Sequence, residues 1–550
     1  MAGAHERSLE NLVNYYPFPN PARWIWADLR RRPAPNTADP DTTSQDHRIK
    51  ILDAAELNAA APLVITAEVL REIGRTIGSR RAENGGALGG ARGASVVKHF
   101  HFDPTAATNG VQYYPDHQEM NRMFRDEWNP AGINLVGFVH SHPAGNTRPS
   151  GQDLRYATQI LDAIPELDRF ITPIVQTVPD TGAFTVHGYA ATRIGAATVM
   201  HDIPVHIAAP QRPIDPGQFP EFTRVREAYD LPAMAAARLV AIGCGGSAAF
   251  LEDMARAGIG EFVLVDPDVV EAPNIGTQQV YRSDIGEGKA RTIAKRLTNV
   301  SPHTRVWVVK SRLEALSDSA VRRLAVGHLP GSHMLNPSSH LLCAFTDSFT
   351  AQARISRLGL QLGIPVLGAT VYWEGRGVEV TFSAPGVTPA CIRCAQRSRY
   401  QAYLREGYRN TVTSQSTPLC ATSRLNALKM PIALGLLHQT SKTADPNHPA
   451  TLRHRRFLQA VADRNLVQVS LDPDIEQNLH LGVFARLAEA DPSGRLPVDT
   501  TIWLRQNPDS PATGYPPCPD CGGTGDLATS INQFTDTTEM PLQFGDSRRA

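Results

Sequence analysis

The stretch VGFVHSHPAGNTRPSGQD, residues 136–153, decides how the first half of the chain is read. Its opening residues are apolar and read as a strand, in which alternate side chains share a face. His140 and His142 lie two apart on that strand, so both imidazoles can reach one ion. Pro143 stops the pairing and opens a loop. Ser150 stands where a helix N-cap belongs, ahead of GQDLRYATQILDAI, and Asp153 falls in that helix's first turn. Two histidines and one carboxylate suffice for a zinc site that leaves its fourth position to water.

Around this stretch the pattern is that of a mixed α/β domain. PLVITAEVLREIGRTIGSR, residues 62–80, predicts a short strand and then an amphipathic helix with Val69, Ile73 and Ile77 on one face. GARGASVVKHFHF, RFITPIVQTV and AFTVHGYA are further strand candidates, and HQEMNRMFRDEW predicts a helix. Glu83, in AENGGALGGAR, is placed on the strand after the first helix. The domain is expected to span 62–200. His99, His101, His187 and His201 are read as ordinary strand or loop histidines.

The spacing His140-x-His142-Pro143, six residues, then Ser150-x-x-Asp153 resembles the motif of the JAMM (MPN+) metalloproteases, zinc isopeptidases that cleave ubiquitin and its relatives. AENGGALGGAR resembles that family's earlier glutamate segment. The resemblance implies a cytidine-deaminase-like α/β fold. It also implies zinc on His140, His142 and Asp153, a proton taken from zinc-bound water by Glu83, and oxyanion stabilisation by Ser150. A zinc-bound water has its pKa lowered toward neutrality, which suits a nearby carboxylate base.

A second domain is expected over 227–525. RLVAIG reads as a buried strand running into a Gly-rich turn and a helix. Gly243, Gly245 and Gly246, with Ala248 at the third fingerprint position, let backbone amides approach a phosphate at a helix N-terminus. EFVLVD ends at Asp266, twenty residues beyond Gly246, a spacing that suits a ribose hydroxyl. The turn alone fits an NAD or FAD oxidoreductase as well as an ATP enzyme.

The continuation VDPDVVEAPNIGTQQVYRSDIGEGKA resembles the ThiF/MoeB-type adenylating enzymes, the group that includes ubiquitin-activating enzymes. The matching positions are Asp266, Asp268, Asn274, Gln278 and Lys289, which the resemblance assigns to ATP. Thr277 stands where the family has arginine, and Arg282 or Arg291 is the expected replacement charge. HLLCAFTDSF places Asp347 where the family holds Mg2+, although Ala344 replaces that motif's first aspartate. The pairs Cys391/Cys394 and Cys518/Cys521 are two C-x-x-C units, a tetrahedral zinc pattern. The resemblance makes that zinc structural. Cys420, in a polar loop ahead of an apolar helix, matches the thioester-forming nucleophile. A helix N-terminus favours negative charge at that position. Cys244 and Cys343 are read as packing residues. The resemblance further implies a homodimer, with Arg224 or Arg226 reaching the partner's site.

Length and composition agree with this organisation. The 550 residues exceed one ordinary domain. Hydrophobic residues make up 42% and charged ones 20%, as in a globular protein, and 54 cations balance 54 anions. No net charge calls for nucleic acid or an anionic membrane as partner. MAGAHERSLENL has neither the basic nor the apolar region of a signal peptide, so a cytoplasmic protein is expected. There, seven cysteines point to metal or catalysis rather than disulfides. Residues 1–61 are left as an unassigned extension, 201–226 as a Pro-rich linker and 526–550 as a polar tail.

The expected whole is a bifunctional enzyme of a bacterial ubiquitin-like modifier system. One domain would adenylate the modifier's C-terminus and the other would process the modifier, with a ubiquitin-conjugating-type enzyme as a further partner. The alternatives are activation of a sulfur-carrier protein for cofactor synthesis, a non-catalytic modifier-binding scaffold, and an NAD-dependent oxidoreductase.

Overall fold

The computed structural model describes residues 46–59, 61–81, 83–90, 96–108, 113–164, 167, 169–177, 183–195, 197–208, 214–404, 416–472, 484, 499–506 and 518–526. The described residues form two compact units, one built from 61–208 and one from 46–59 with those from 214 onward.

In the first unit the strand Asn134–His142 is central to an eight-stranded sheet. It runs antiparallel to Gly85–Gly90 and parallel to Ile174–Thr177. Alternation sorts its side chains between two cores. Val139 packs with Leu88, Ile171, Val175 and the helix residues Val69, Ile73 and Ile77. Phe138 packs on the opposite face with Ala87, Phe170 and, from helix Gly151–Ala163, Ala157 and Leu161. His140 and His142 share the face of Phe138, so this alternation aims both imidazoles at the helix that carries Asp153. Two boundaries differ from expectation. Glu83 precedes the strand Gly85–Gly90 instead of lying on it. Val205–Ala208, within the expected linker, pairs with Leu63–Thr66 and extends this unit.

The second unit is organised on a nine-stranded sheet in the order 49–52, 305–309, 261–265, 237–242, 339–344, 366–371, 377–383, 466–470, 500–504. The first six strands are parallel and the last three antiparallel. The central strands, ARLVAI and EFVLV, are wholly buried, as parallel strands covered on both faces must be. From Ala237–Ile242 the chain steps first to one neighbour, Glu261–Val265, and later to the other, Ser339–Ala344. The carboxyl ends of that pair form a topological switch point, where open α/β sheets bind ligands. The sheet's first strand is Ile49–Leu52, in register with Val306–Val309. The helix Ala54–Asn58 follows, capped by Asp53. Residues 46–59, unassigned from sequence, therefore belong to this unit. Among the described residues no helix is long and apolar enough to cross a membrane.

Candidate active sites

The first site lies where the strand Asn134–His142 ends. Glu83, His140 and His142 are buried, and one ligand atom from each lies within 4.8 Å of the others. His140 Nε2 is 2.9 Å from His142 Nε2 and 3.2 Å from Asp153 Oδ1, and His142 Nε2 is 3.6 Å from Asp153 Oδ2. Donors bonded at zinc distances in a tetrahedron stand about 3.3 Å apart, so His140, His142 and Asp153 fit a zinc ion. Asp153 is aimed by a capping box. Ser150 Oγ accepts from the Gln152 and Asp153 N–H groups, and the Ser150 N–H donates to Asp153 Oδ2 at 2.5 Å.

The electrostatics follow from burial against charge. Burial opposes ionisation of Asp153, yet the two imidazoles and the Ser150 N–H hold its carboxyl far below the usual carboxylate range. Burial raises the Glu83 carboxyl above its usual value, against the pull of His140 and His142. The site therefore holds one committed anion and one carboxylate disposed to take a proton.

The second site is a cleft of about 420 Å³ at the switch point of the nine-stranded sheet. Gly243, Gly245, Gly246, Asp266, Asp268, Gln278, Lys289 and Asp347 all line it. Gly243 has φ +81°, and a Cβ there would lie 2.9 Å from the Phe345 carbonyl. A Cβ on Gly245 would lie 2.4 Å from Gln278 Oε1, whereas on Gly246 the nearest atom is 3.6 Å away. The strand end at Phe345 thus leaves no room for a side chain at Gly243, whereas at Gly245 the neighbour is the Gln278 side chain. Asp266 Oδ2 accepts from the Cys244 N–H at 2.8 Å and Oδ1 from the Asp268 N–H at 3.0 Å. Asp266 therefore braces the turn. Lys289 pairs with Asp268 at 3.0 Å. Gln278 Oε1 is buried with no hydrogen-bond partner among the described residues, an acceptor left for a ligand. Exposed Asp347 joins Asp266, Asp268 and Glu314 in a carboxylate lining that suits Mg2+ with a polyphosphate.

The four cysteines at 391, 394, 518 and 521 converge. Cys391 Sγ is 3.7 Å from Cys518 Sγ, and Cys394 Sγ is 3.4 Å from Cys521 Sγ. Four thiolates around zinc stand about 3.8 Å apart. The set is closed and buried, as a structural site requires.

Comparison with known proteins assigns both halves. The family model described as prokaryotic homologs of the JAB domain matches residues 68–187, and that of the ThiF family matches residues 223–463. The chain carries one domain of each family. The chain is 28% identical over 160 residues to the SAMP-activating enzyme E1 of Haloferax volcanii, covering 28% of this chain and 52% of that protein. It is 26% identical over 168 residues to the molybdopterin-synthase adenylyltransferase of Salmonella typhimurium, covering 30% and 61%. The chain thus spans about half the length of these relatives. E. coli MccB, solved with ATP, matches 47% of this chain and 69% of its own at 16% identity and a TM-score of 0.33.

Within the JAB domain, two residues that sequence reasoning passed over shape the site. Tyr113 stacks on His140, with ring centres 6.0 Å apart, and donates to Asp103 Oδ2 at 3.2 Å. The Gln176 side chain donates to the Asn146 and Pro143 carbonyls at 2.6 and 3.1 Å and accepts from the Gly145 N–H at 3.0 Å, fixing the loop after His142. In the ThiF domain Asn274 does not line the cleft. Its Oδ1 accepts from the Glu271 N–H at 2.9 Å and holds the turn Ala272–Gly276. Neither Arg282 nor Arg291 lines the cleft either, where the cations are Lys289 and Arg312. Cys420 is exposed and lies inside the first turn of helix Leu419–Thr440, not in a loop before it. Its neighbours Thr417 and Thr422 line the cleft. Cys244 and Cys343 are buried in the core.

Proposed function

We propose that this chain is a bifunctional enzyme of a ubiquitin-like modifier system, activating the modifier's C-terminus with ATP in the ThiF domain and processing the modifier in the JAB domain. The observation that carries this reading is the convergence of Gly243, Gly245, Asp266, Lys289 and Asp347 on one cleft, with Thr417 and Thr422 on either side of exposed Cys420 in its lining.

In the ThiF domain the amides of the Gly-rich turn receive phosphate oxygens, and Lys289 offsets their charge. Asp347 supplies a carboxylate for the magnesium that accompanies the nucleotide. A C-terminal carboxylate oxygen of the modifier forms a bond to the α-phosphorus as the bond to the bridging oxygen of pyrophosphate breaks. The product is an acyl-adenylate. The Cys420 thiolate then bonds to the acyl carbon, AMP leaves, and the modifier is held as a thioester. Cys391, Cys394, Cys518 and Cys521 would hold a structural zinc that ties this domain together.

In the JAB domain His140, His142 and Asp153 would hold the catalytic zinc, which supplies a Lewis acid and an activated water. Glu83 takes a proton at its carboxylate and returns it to the leaving amine. Ser150 stabilises the developing oxyanion, and Gln176 keeps the loop after His142 in place.

Relatives named for molybdopterin synthase and for sulfur-carrier proteins support a second outcome, in which the adenylate goes on to a thiocarboxylate. The test is to incubate the chain with a modifier, ATP and magnesium, with and without a sulfide donor that can displace AMP from the adenylate. A band on a non-reducing gel that thiol reductant removes, absent in Cys420→Ala, supports the thioester. A thiocarboxylate found by mass spectrometry, or a band that survives Cys420→Ala, overturns Cys420 as the carrier.

A further inference from the structure

Helix Leu419–Thr440 packs two polar side chains, Asn426 and Lys429, against the Gly-rich turn, with Thr422 beside them in the cleft lining. Thr422, Asn426 and Lys429, at i, i+4 and i+7, share one face of the helix. Thr422 Oγ1 donates to the Leu419 carbonyl of its own helix at 2.8 Å and lies 3.4 Å from the Thr277 carbonyl, while Asn426 Nδ2 donates to the Gly246 carbonyl at 3.0 Å. Lys429 Nζ donates to Ser247 Oγ at 2.9 Å. Lys429 has no exposed surface at all. Its ammonium stands 4.0 Å from the ring centre of Phe345 and 4.8 Å from that of Phe250. No carboxylate pairs with it among the described residues. The titratable group acting on it is the thiol of Cys343, itself fully buried.

A buried ammonium without a counterion is costly unless something compensates it. The cleft in front of the turn explains what does. Four carboxylates line that cleft, Asp266, Asp268, Glu314 and Asp347, against two cations, Lys289 and Arg312. The family arginine is missing at Thr277, whose carbonyl lies 3.4 Å from Thr422 Oγ1. Magnesium offsets part of a polyphosphate's charge in this lining, and Lys429, bonded to Ser247 of the same lining, is placed to offset more of it.

We propose that Lys429 is a positioning cation for the nucleotide's phosphates, held behind the Gly-rich turn by Ser247 and neutralised by the anion bound in front of it. This rests on reading the cleft as a nucleoside triphosphate site. It adds that the charge is supplied from the Cys420 helix, so the phosphate turn and the thioester carrier's helix are one mechanical piece. Burial pulls Lys429 down from 10.5 to about 7, so the empty protein holds this proton weakly. An anion in front of the turn raises that value, and nucleotide binding draws a proton in.

The test is calorimetric titration of the full chain with MgATP. At about pH 8, where the nucleotide itself is fully ionised, measurements in two buffers of different ionisation enthalpy give the protons taken up. Net uptake is expected in the wild type and none in Lys429→Met. The variant should also bind roughly fivefold more weakly near pH 7, the linkage of a one-unit rise from about 7, while the nucleotide-free protein melts no lower than wild type. A residue that only packs would lower melting temperature and affinity together. Equal affinity in the variant, or no proton uptake by the wild type, overturns the proposal, and the second holds even if the variant does not fold. Failure of the wild type to bind MgATP would instead overturn the reading of the cleft.

Discussion

Arg393 and Asp520 form a wholly buried ion pair, with 2.8 Å between Nη1 and Oδ1, and each is an interior residue of one C-x-x-C unit. The two cysteine pairs are thus joined by a charge pair as well as by the ligand set, and Arg357 lies 3.6 Å from the same carboxylate oxygen. Removing one partner of a buried pair strands the other. Asp520→Asn should therefore destabilise the second unit by about 3–5 kcal/mol. Denaturant unfolding checks this, and chelation of zinc should weaken the same transition. A cost well below 1 kcal/mol would mean that the pair is dispensable to the clamp.

The Gly-rich turn separates two substitutions that look alike in sequence. Gly243→Ala puts a methyl group 2.9 Å from the Phe345 backbone at a φ of +81°, and should lower stability on the scale of overpacking costs of about 1–3 kcal/mol. Gly246→Ala meets no protein atom nearer than 3.6 Å, so it should melt as the wild type does, yet its methyl group faces the space assigned to phosphate and should weaken nucleotide binding. Thermal denaturation of the nucleotide-free protein and fluorescent-nucleotide titration together distinguish them. Wild-type nucleotide affinity in both would place the nucleotide elsewhere.

Glu83→Gln should keep the metal and lose cleavage of a modifier fusion by roughly 10²–10⁴-fold, the range for a general base. The amide preserves shape but cannot take the proton. Metal content by mass spectrometry should be unchanged, while His142→Ala loses metal and cleavage together. Full cleavage by Glu83→Gln would remove Glu83 from its assigned role.

Much of this was legible because metal and phosphate chemistry demand fixed residue types at fixed spacings. His140, His142 and Asp153 declare themselves through a strand period and a helix cap, and Gly243 through close backbone approach. Other features carried no such period. Ile49–Leu52 is an edge strand of four residues whose partner, Val306–Val309, is distant in sequence. Tyr113 reaches His140 by ring stacking across the fold. Lys429 sits in an apolar helix where a lone lysine reads as surface. The available signal was its place on one face with Thr422 and Asn426. Asn274 also caps a turn, a local role that its place in the family pattern does not announce.

Lys429 also gives a pH signature without nucleotide. Its folded value of about 7 lies below the ordinary 10.5. Between those values the unfolded chain holds a proton that the folded chain has lost, so stability rises with pH across the window. The destabilisation is full below the folded value and is relieved above it. Denaturation midpoints of wild type, compared with Lys429→Met, should climb as pH rises from about 7 to 9. Parallel profiles would show that Lys429 is not the titrating group.

The central claim is that the ThiF domain adenylates a modifier's C-terminus, and isotope exchange between pyrophosphate and ATP tests it most directly. Exchange should require the full chain, magnesium and a ubiquitin-like protein with a free C-terminus, persist in Cys420→Ala, and vanish in Asp347→Ala. Binding of a nicotinamide dinucleotide without any modifier-dependent exchange would contradict the account.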